Sequence, residues 1–347
     1  MSSTTAAQNK RSWTVRLARP GDAGRIAELF ETVFGLSRSV AHTTWKFDQN
    51  PAGAPVVVVA EDGDRIVGQY ALWPTPLRLG GTSVLGAQSL ETMTHPDYRG
   101  QGMFTVLANE SFIAAADRGV EVLYGFPNSN SFHGFVRRLN WDHTGDVGLW
   151  VHPLHLGLHH RVPAALKPLA EVLGAIWLSG NSRGFELSYS PEPPSELAAL
   201  VAQSTFGKDS CSIDRSPSWL QWRYSPAAGA NYEWATARRA GGEVVAAVVW
   251  GADLRNRNAV FVDFLGADSA GLRAATAAAL RRAHAGRHSL ATALAQHPAA
   301  ERALRACGFI RAGRLPLIVR NLTARTLGAN IHDHAAWRII GGDVDTQ

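Results

Sequence analysis

The chain has 347 residues, 46% of them hydrophobic and 18% charged, with a formal net charge of +5. That is a globular composition with room for two ordinary domains, far from the disordered or collagen-like regimes. Its basic residues are scattered, with only short pairs such as those at Arg137 and Arg281. Small anionic ligands are therefore the expected partners and nucleic acid is not.

Residues 14–18, TVRLA, read as a short strand, followed by Pro20-Gly21-Asp22 and an amphipathic helix from Ala23 to Gly35. Residues 55–81 read as strands broken at Asp62-Gly63-Asp64 and Gly80-Gly81, which are hairpin turn signals. The next strand region, 82–96, runs into a bend, DYRGQG, at 97–102. From there the pattern predicts a helix from Met103 to Asp117, closed by Arg118-Gly119 as a basic last turn and glycine stop. Residues 120–128, VEVLYGFPN, read as a strand ending in a polar loop, and 131–141, SFHGFVRRLNW, as a short helix.

The second half repeats this plan. Trp45-Lys46-Phe47 and Trp222-Arg223-Tyr224 are each followed by Pro, Ala-Gly, a strand, a turn and another strand. Further on, 270–286 reads as a helix, 288–295 as a strand and 299–309 as a short helix. An internal duplication accounts for this, two copies of one α/β unit. The expected spans are 12–150 for the first copy, 151–185 for a connector and 186–323 for the second. The tail, 324–347, is expected to be irregular or to pack across a domain.

The bend is the most informative stretch. A helix N-terminus presents unpaired N–H groups and about half an elementary positive charge. Glycines let that backbone approach an anion and adopt positive φ, and Arg99 adds a charged fork at the rim. Alone, an R-x-x-G also fits a solvated turn before a core helix. In context it is a strand–loop–helix–strand arrangement lacking the Walker and G-x-G-x-x-G glycine patterns, which favours a phosphate.

The run HPDYRGQGMFTVLA followed by YGFPNSNSFHGFVRRLNW resembles the GNAT superfamily of acyl-CoA-dependent N-acyltransferases. The family pattern is R/Q-x-x-G-x-G/A, then further along an asparagine and a short helix ending in Gly-Phe. Arg99 and Gly102 match, Phe104 stands where glycine or alanine is usual, Asn130 matches the asparagine, and Asn140-Trp141 replaces Gly-Phe. The second half has Gly308-Phe309 but lacks the arginine loop. With the W-K-F and Y-G-F-P-N runs, the whole chain looks like a tandem GNAT subgroup, linked to modification of sugars or bacterial secondary metabolites.

The resemblance implies two tandem α/β domains, each a mixed, largely antiparallel central sheet flanked by helices, the second copy degenerate and shaping the acceptor cleft. It implies acetyl-CoA or another acyl-CoA as co-substrate and no metal. Met93 and Thr94 would offer backbone groups to the pantetheine. The amides of Gly100, Gln101, Gly102, Met103 and Phe104 would cradle the pyrophosphate beside Arg99, and Asn130 would bond the pantetheine arm or order the acyl site. The Phe104 side chain is expected in the helix core, by its spacing to Leu107.

Acyl transfer to an amine needs a neutral nucleophile, a polarised carbonyl and a proton for the leaving thiolate. The tyrosine usual in the family falls at Val136, so His133 and Tyr124 are the candidate acids. Glu91, on the cofactor strand, is the candidate base. Each has a plain alternative: a surface carboxylate, a helix-surface histidine and a core tyrosine whose hydroxyl is merely satisfied. Positioning alone can also lower much of the barrier.

Other constellations point nowhere specific. His152, His155, His159 and His160 have no cysteine or carboxylate partners at ligand spacing, so no metal site is expected. Ser129 and Ser131 sit in no nucleophile elbow. Trp45 and Trp222, at matching repeat positions, read as packing. Cys211 and Cys307 fit a reducing cytoplasm. The polar first residues lack a signal-peptide core, and the apolar run 162–180 carries Pro163, Lys167, Pro168 and Glu171, so no membrane insertion is expected. It reads as a bridging helix.

The expected function is transfer of an acyl group, acetyl by preference, to a primary amine of a small acceptor such as an amino sugar or secondary metabolite. A cytoplasmic monomer or homodimer is expected. The alternatives are a non-catalytic CoA- or ligand-binding protein and an enzyme of the same fold with a CoA-independent reaction.

Overall fold

The computed structural model describes residues 12–155, 163–169, 182–204, 209–228, 231–252 and 258–345. Its first half opens with β1 (Thr14–Leu17), α1 (Ala23–Phe34), α2 (Val40–Asp48), β2 (Val56–Asp62), β3 (Arg65–Leu79) and β4 (Thr82–Thr94). It continues with α3 (Met103–Asp117), β5 (Val122–Gly125), α4 (Ser129–Arg138) and β6 (Asp142–Pro153). The two hairpins turn where the sequence places them; Gly80 and Gly81 both take positive φ, 58° and 86°, as a tight two-residue turn requires. Helix α3 spans the residues expected of it.

The second half contains β7 (Phe185–Ser190), α5 (Leu197–Gln203), β8 (Cys211–Ile213), α6 (Pro217–Arg223), β9 (Glu233–Arg239) and β10 (Val244–Ala252). Then come β11 (Ala259–Leu265), α7 (Ser269–Ala285), β12 (Leu290–Gln296), α8 (Pro298–Ala306), β13 (Ile310–Asn321) and β14 (Trp337–Ile340). The apolar run expected as a bridging helix falls largely outside the described residues.

All these strands join one sheet, in the order β1-β2-β3-β4-β5-β13-β6-β12-β11-β10-β9-β7, with β14 on β12 and β8, and β8 also on β3. Most pairs are antiparallel; β4 with β5, β11 with β12 and β8 with β14 are parallel. The middle of the order carries an exchange. Strand β13, late in the sequence, lies against β5 of the first half, while β6, from the first half, lies against β12 of the second. Each half of the sheet is thus completed by a strand from the other, and the halves are not coextensive with segments 12–150 and 186–323.

Among the described residues four cores follow from this, the smallest packing α1 on β2, β3 and β4 through Leu29, Val59, Ile66 and Met93. Of the other three, one packs α3 and α4 on the first half's strands through Tyr70, Leu107, Phe112, Phe135 and Trp141. A second packs α7 on β10 and β11, where a run of buried alanines lets the helix lie close to the sheet. The third joins the halves and holds Trp45, Trp73, Tyr124, Trp219, Tyr224, Trp234 and Trp337. At its centre Trp45 and Trp222 stack at 5.2 Å, and each indole N–H donates to the other's backbone carbonyl, at 2.7 and 3.1 Å. The repeated tryptophans therefore pack on each other. The segment after Thr323 is also built in, with Trp337, Ile339 and Ile340 buried. Among the described residues no helix is long and apolar enough to cross a membrane.

Candidate active site

Strand β4 pairs with β3 along its length, but with β5 only from Gly86–Ser89 against Val122–Gly125. Beyond Ser89 the two diverge, β5 giving way to Phe126-Pro127-Asn128 while β4 runs on to Thr94. A cleft of about 410 Å³ opens between them. Gln88, Ser89, Glu91 and Thr92 line one wall, Phe126, Asn128, Ser131 and Phe135 the other, with Phe30, Phe34 and Leu36 at one end together with Asp345.

A bulge re-aims β4 inside this cleft. Gln69 opposes Met93 but Ala71 opposes Leu90, so β4 carries one extra residue, and Glu91 takes φ +46°, rare for a non-glycine. The Gln69 amide N–H donates to the Glu91 carbonyl at 3.2 Å, holding the distortion.

At the far end of β4 lies the bend. Gly100 and Gly102 have φ of +79° and +77°, and a Cβ on either would meet no atom within 4 Å. The first amides to enter the α3 ladder are those of Thr105 and Val106, both onto the Gly102 carbonyl. The amides of Gly100 to Phe104 therefore precede the ladder, the arrangement that receives an anion at a helix start. Arg99 is exposed at the rim, and the Trp13 indole donates to the Gln101 side chain at 3.0 Å. Phe104 turns inward onto Phe135 (5.3 Å) and Tyr70 (6.2 Å), so its bulk lies in the helix core and Phe135 links loop to cleft.

The electrostatics of the cleft centre on Glu91. Its carboxylate meets Lys46 Nζ at 2.7 Å and the two terminal guanidinium nitrogens of Arg38, one of them at 3.2 Å. Lys46 is wholly buried and donates also to Asp345 at 2.7 Å. Burial of Glu91 works to raise its pKa, but Lys46 and Arg38 outweigh it and hold the carboxyl below the usual range. Arg38 in turn lies over the Phe30 ring at 4.2 Å.

The predicted residues divide accordingly. Glu91 lines the cleft, carried there by the bulge. Met93 is buried and Thr94 half-buried on the continuation of that strand. Tyr124 is not at the cleft: it is 1% exposed in the core between the halves, its hydroxyl donating to Thr75 Oγ1 at 3.2 Å, with burial pushing its pKa up. His133 is exposed on α4 and lines no part of the cleft. Asn130 is likewise exposed; the asparagine that faces the cleft is Asn128, the N-cap of α4, whose side chain accepts from the amides of Asn130 and Ser131. Asn128 is the first polar residue after the strand and has the capping type, a signal available in the sequence. Val136, where the family tyrosine would fall, packs against the α3–α4 core.

Sequence reasoning also missed Ser89, which lines the cleft and donates to the buried Tyr70 hydroxyl at 2.9 Å, and the ring of Arg38, Lys46 and Asp345. Of the four histidines considered for metal, His152 is buried on β6 and His155 Nε2 meets the His284 carbonyl at 3.1 Å, while His159 and His160 lie outside the described residues. Among the described residues no three His, Cys, Asp or Glu side chains are placed to hold a metal ion.

Comparison with known proteins bears on this geometry. Residues 14–144 match the model of the acetyltransferase (GNAT) domain. No curated protein sequence matches significantly. Among solved structures, a probable N-acyltransferase from Enterococcus faecalis is similar at TM-score 0.65 and 13% identity, over 89% of this chain and 73% of that one. A GCN5-related N-acetyltransferase from Anabaena variabilis gives 0.63 and 12%, over 90% and 73%. A tandem GNAT protein from the clavulanic acid biosynthesis pathway gives 0.60 and 14%, over 90% of this chain and 100% of that one. At such identities the likeness is one of fold, and it extends through both halves.

Proposed function

We propose, for a chain that is a GNAT-type N-acyltransferase by the domain at its residues 14–144, that the first half moves an acyl group, acetyl by preference, from CoA to the primary amine of a small metabolite. The observation that carries this reading is the divergence of β4 from β5 after Ser89, with a loop of free amides at the end of the open strand. The amides of Gly100 to Phe104 and the Arg99 fork receive the pyrophosphate. The free edge of β4 through Met93 and Thr94 pairs with the pantetheine, and the thioester comes to rest near Ser89 and Asn128. The acceptor enters from the side of Phe30, Phe34 and Leu36.

In the reaction the amine nitrogen attacks the thioester carbon, the C–S bond breaks and the thiolate takes a proton. A carboxylate held ionised by two cations accepts protons poorly, so Glu91 serves to orient the amine, whose proton leaves through solvent. The Ser89 hydroxyl is committed to Tyr70 and that of Ser131 to Asn128, so the thiolate takes its proton from solvent. Alignment supplies the rest of the acceleration. The modest cleft volume favours a small acceptor such as an amino sugar or secondary-metabolite amine, and the likeness to a tandem GNAT protein of the clavulanic acid biosynthesis pathway supports that class. Such chemistry belongs in the cytoplasm, where acyl-CoA is available.

The test is calorimetric titration with acetyl-CoA of the wild type and Arg99→Ala, followed by an amine screen for thiol release. Micromolar binding, about −8 kcal/mol, is expected for the wild type. The variant should bind roughly ten- to a hundredfold more weakly, since a charge-assisted hydrogen bond is worth ~1.5–3 kcal/mol. Absence of wild-type binding, or equal binding by both, would refute the assignment of the loop. Binding with no amine-dependent thiol release would refute the transfer.

A further inference from the structure

Strands β11 and β12 repeat the geometry of β4 and β5. They pair in parallel only from Ala259–Phe261 against Ala291–Ala293, and β11 also carries an extra residue, since Val249 opposes Asp263 but Trp250 opposes Phe261. The gap beyond is filled by the chain itself. Strand β14 pairs antiparallel with β12, Ile339 with Gln296 and Ile340 with Ala295. The turn at Gly341-Gly342 then presses on β11: a Cβ on Gly341 would lie 3.1 Å from the Phe261 carbonyl, and one on Gly342 3.0 Å from the Val262 carbonyl and 2.0 Å from the Tyr224 hydroxyl. Asp343 closes the plug by accepting from Arg215 at 2.6 Å, and Arg215 also meets Asp263 at 3.3 Å.

The same segment then reaches the first half's cleft. Arg223 donates to the carbonyls of Gly342 and Val344, at 3.0 and 3.2 Å. Lys46, its counterpart in the repeat, grips both oxygens of Asp345 at 2.7 Å. The basic residue of each W-K-F or W-R-Y run thus holds one stretch of a single strap. Its end, Asp345, lines the cleft together with Glu91.

We propose that the second half serves as the holder of the strap Trp337–Asp345, and that Asp345 is a positioning residue that fits the first half's cleft to a protonated amine. The inference rests on the acyl-transfer reading above. Around the cleft's end stand two carboxylates, Glu91 and Asp345, and two cations, Lys46 and Arg38. With Asp345 present their charges cancel; without it the group is net positive and repels an ammonium. With the gap between β11 and β12 taken by the strap, the chain takes one acyl-CoA and not two.

The experiment combines acetyl-CoA titration with kinetics on the best amine from the thiol-release screen, for the wild type, Asp345→Asn, Asp345→Glu and Gly342→Val. One acetyl-CoA per chain is expected. Asp345→Asn should raise the acceptor KM roughly tenfold, the scale of one screened charge at contact distance. Its kcat should stay within about threefold and its acetyl-CoA affinity unchanged, while Asp345→Glu restores most of the KM. Gly342→Val, which displaces the strap, should reproduce the KM defect where the protein stays folded, and Asp345→Asn decides the matter where it does not. Two acetyl-CoA sites, an unchanged KM in Asp345→Asn, or an acetyl-CoA affinity that falls with it would overturn the proposal. If no amine is acylated by the wild type, the underlying reading fails first; if the wild type turns over and Asp345→Asn matches it, only this inference fails.

Discussion

Replacing Lys46 by methionine tests whether the cleft's charges hold the halves together. The ammonium is wholly buried, 2.7 Å from both Glu91 and Asp345. Methionine keeps most of the stem's volume, so the loss is electrostatic rather than a cavity. Removing one partner from a buried pair costs about 3–5 kcal/mol because the other charge is stranded. Glu91 keeps Arg38, and Asp345 is 12% exposed and partly solvated. The lower end, ~3 kcal/mol, is therefore expected in urea unfolding at pH 7. The pH dependence follows from the direction of the Glu91 shift. A carboxyl held below its unfolded value contributes stability above that value, and the contribution is lost as pH falls through the carboxylate range. The deficit of Lys46→Met should thus be largest near neutrality and shrink in acid. Adding Asp345→Asn should recover about 1 kcal/mol or more, since the carboxylate that Lys46 had paired is gone while Glu91 keeps Arg38. A deficit below about 1 kcal/mol, the worth of an exposed pair, or one independent of pH would refute the reasoning.

Three further outcomes are expected. Gly102→Ala meets no neighbour but forces φ +77° on a Cβ, costing ~1–2 kcal/mol; thermal melting should register the loss and titration a weaker grip on acetyl-CoA. His152 is buried on β6 against Phe309 and burial lowers its pKa from 6.5 to about 4. A base depressed in the fold stabilises above its unfolded pKa and loses that contribution as pH falls, here between 6.5 and 4, up to roughly 3 kcal/mol. Urea midpoints at pH 7 and 4.5 should therefore diverge more for the wild type than for His152→Leu. In a double-mutant cycle, Trp45→Phe and Trp222→Phe each delete an indole donor to the other's carbonyl, and a coupling of ~1 kcal/mol or more is expected; additive losses would show that the two halves meet there without mutual support.

Much of the architecture was legible because the signals were local. Helix α3 was bounded by glycines at both ends, and the hairpins by Asp-Gly and Gly-Gly. The duplication was legible in the W-K-F and W-R-Y runs, but what those runs do was not. Their tryptophans stack on one another and their basic residues share one strap, contacts between positions 177 residues apart in one case and 299 in the other. No local pattern encodes such a pairing. The exchange of β6 and β13 escaped for the same reason: each reads as an ordinary strand, and only the sheet reveals which half it completes.

The site divides along the same line. The loop from Arg99 to Phe104 depends on backbone conformation that glycines announce, and Gly100 and Gly102 do take positive φ there. The candidate acids depended on which way a side chain points, and there strand parity and helix phase decide. Tyr124 sits one residue before the end of β5, yet it faces the core between the halves and not the cleft. On α4, His133 faces solvent while Ser131 and Phe135 face inward. Glu91 is the instructive case. Its strand position was right, but its reach into the cleft comes from a bulge, and its partners come from a loop, a helix and a strap to which the sequence reading gave no role at the site. A carboxylate read from sequence as a free base is, in the fold, one member of a neutralised group of four, and its chemistry is set by the other three.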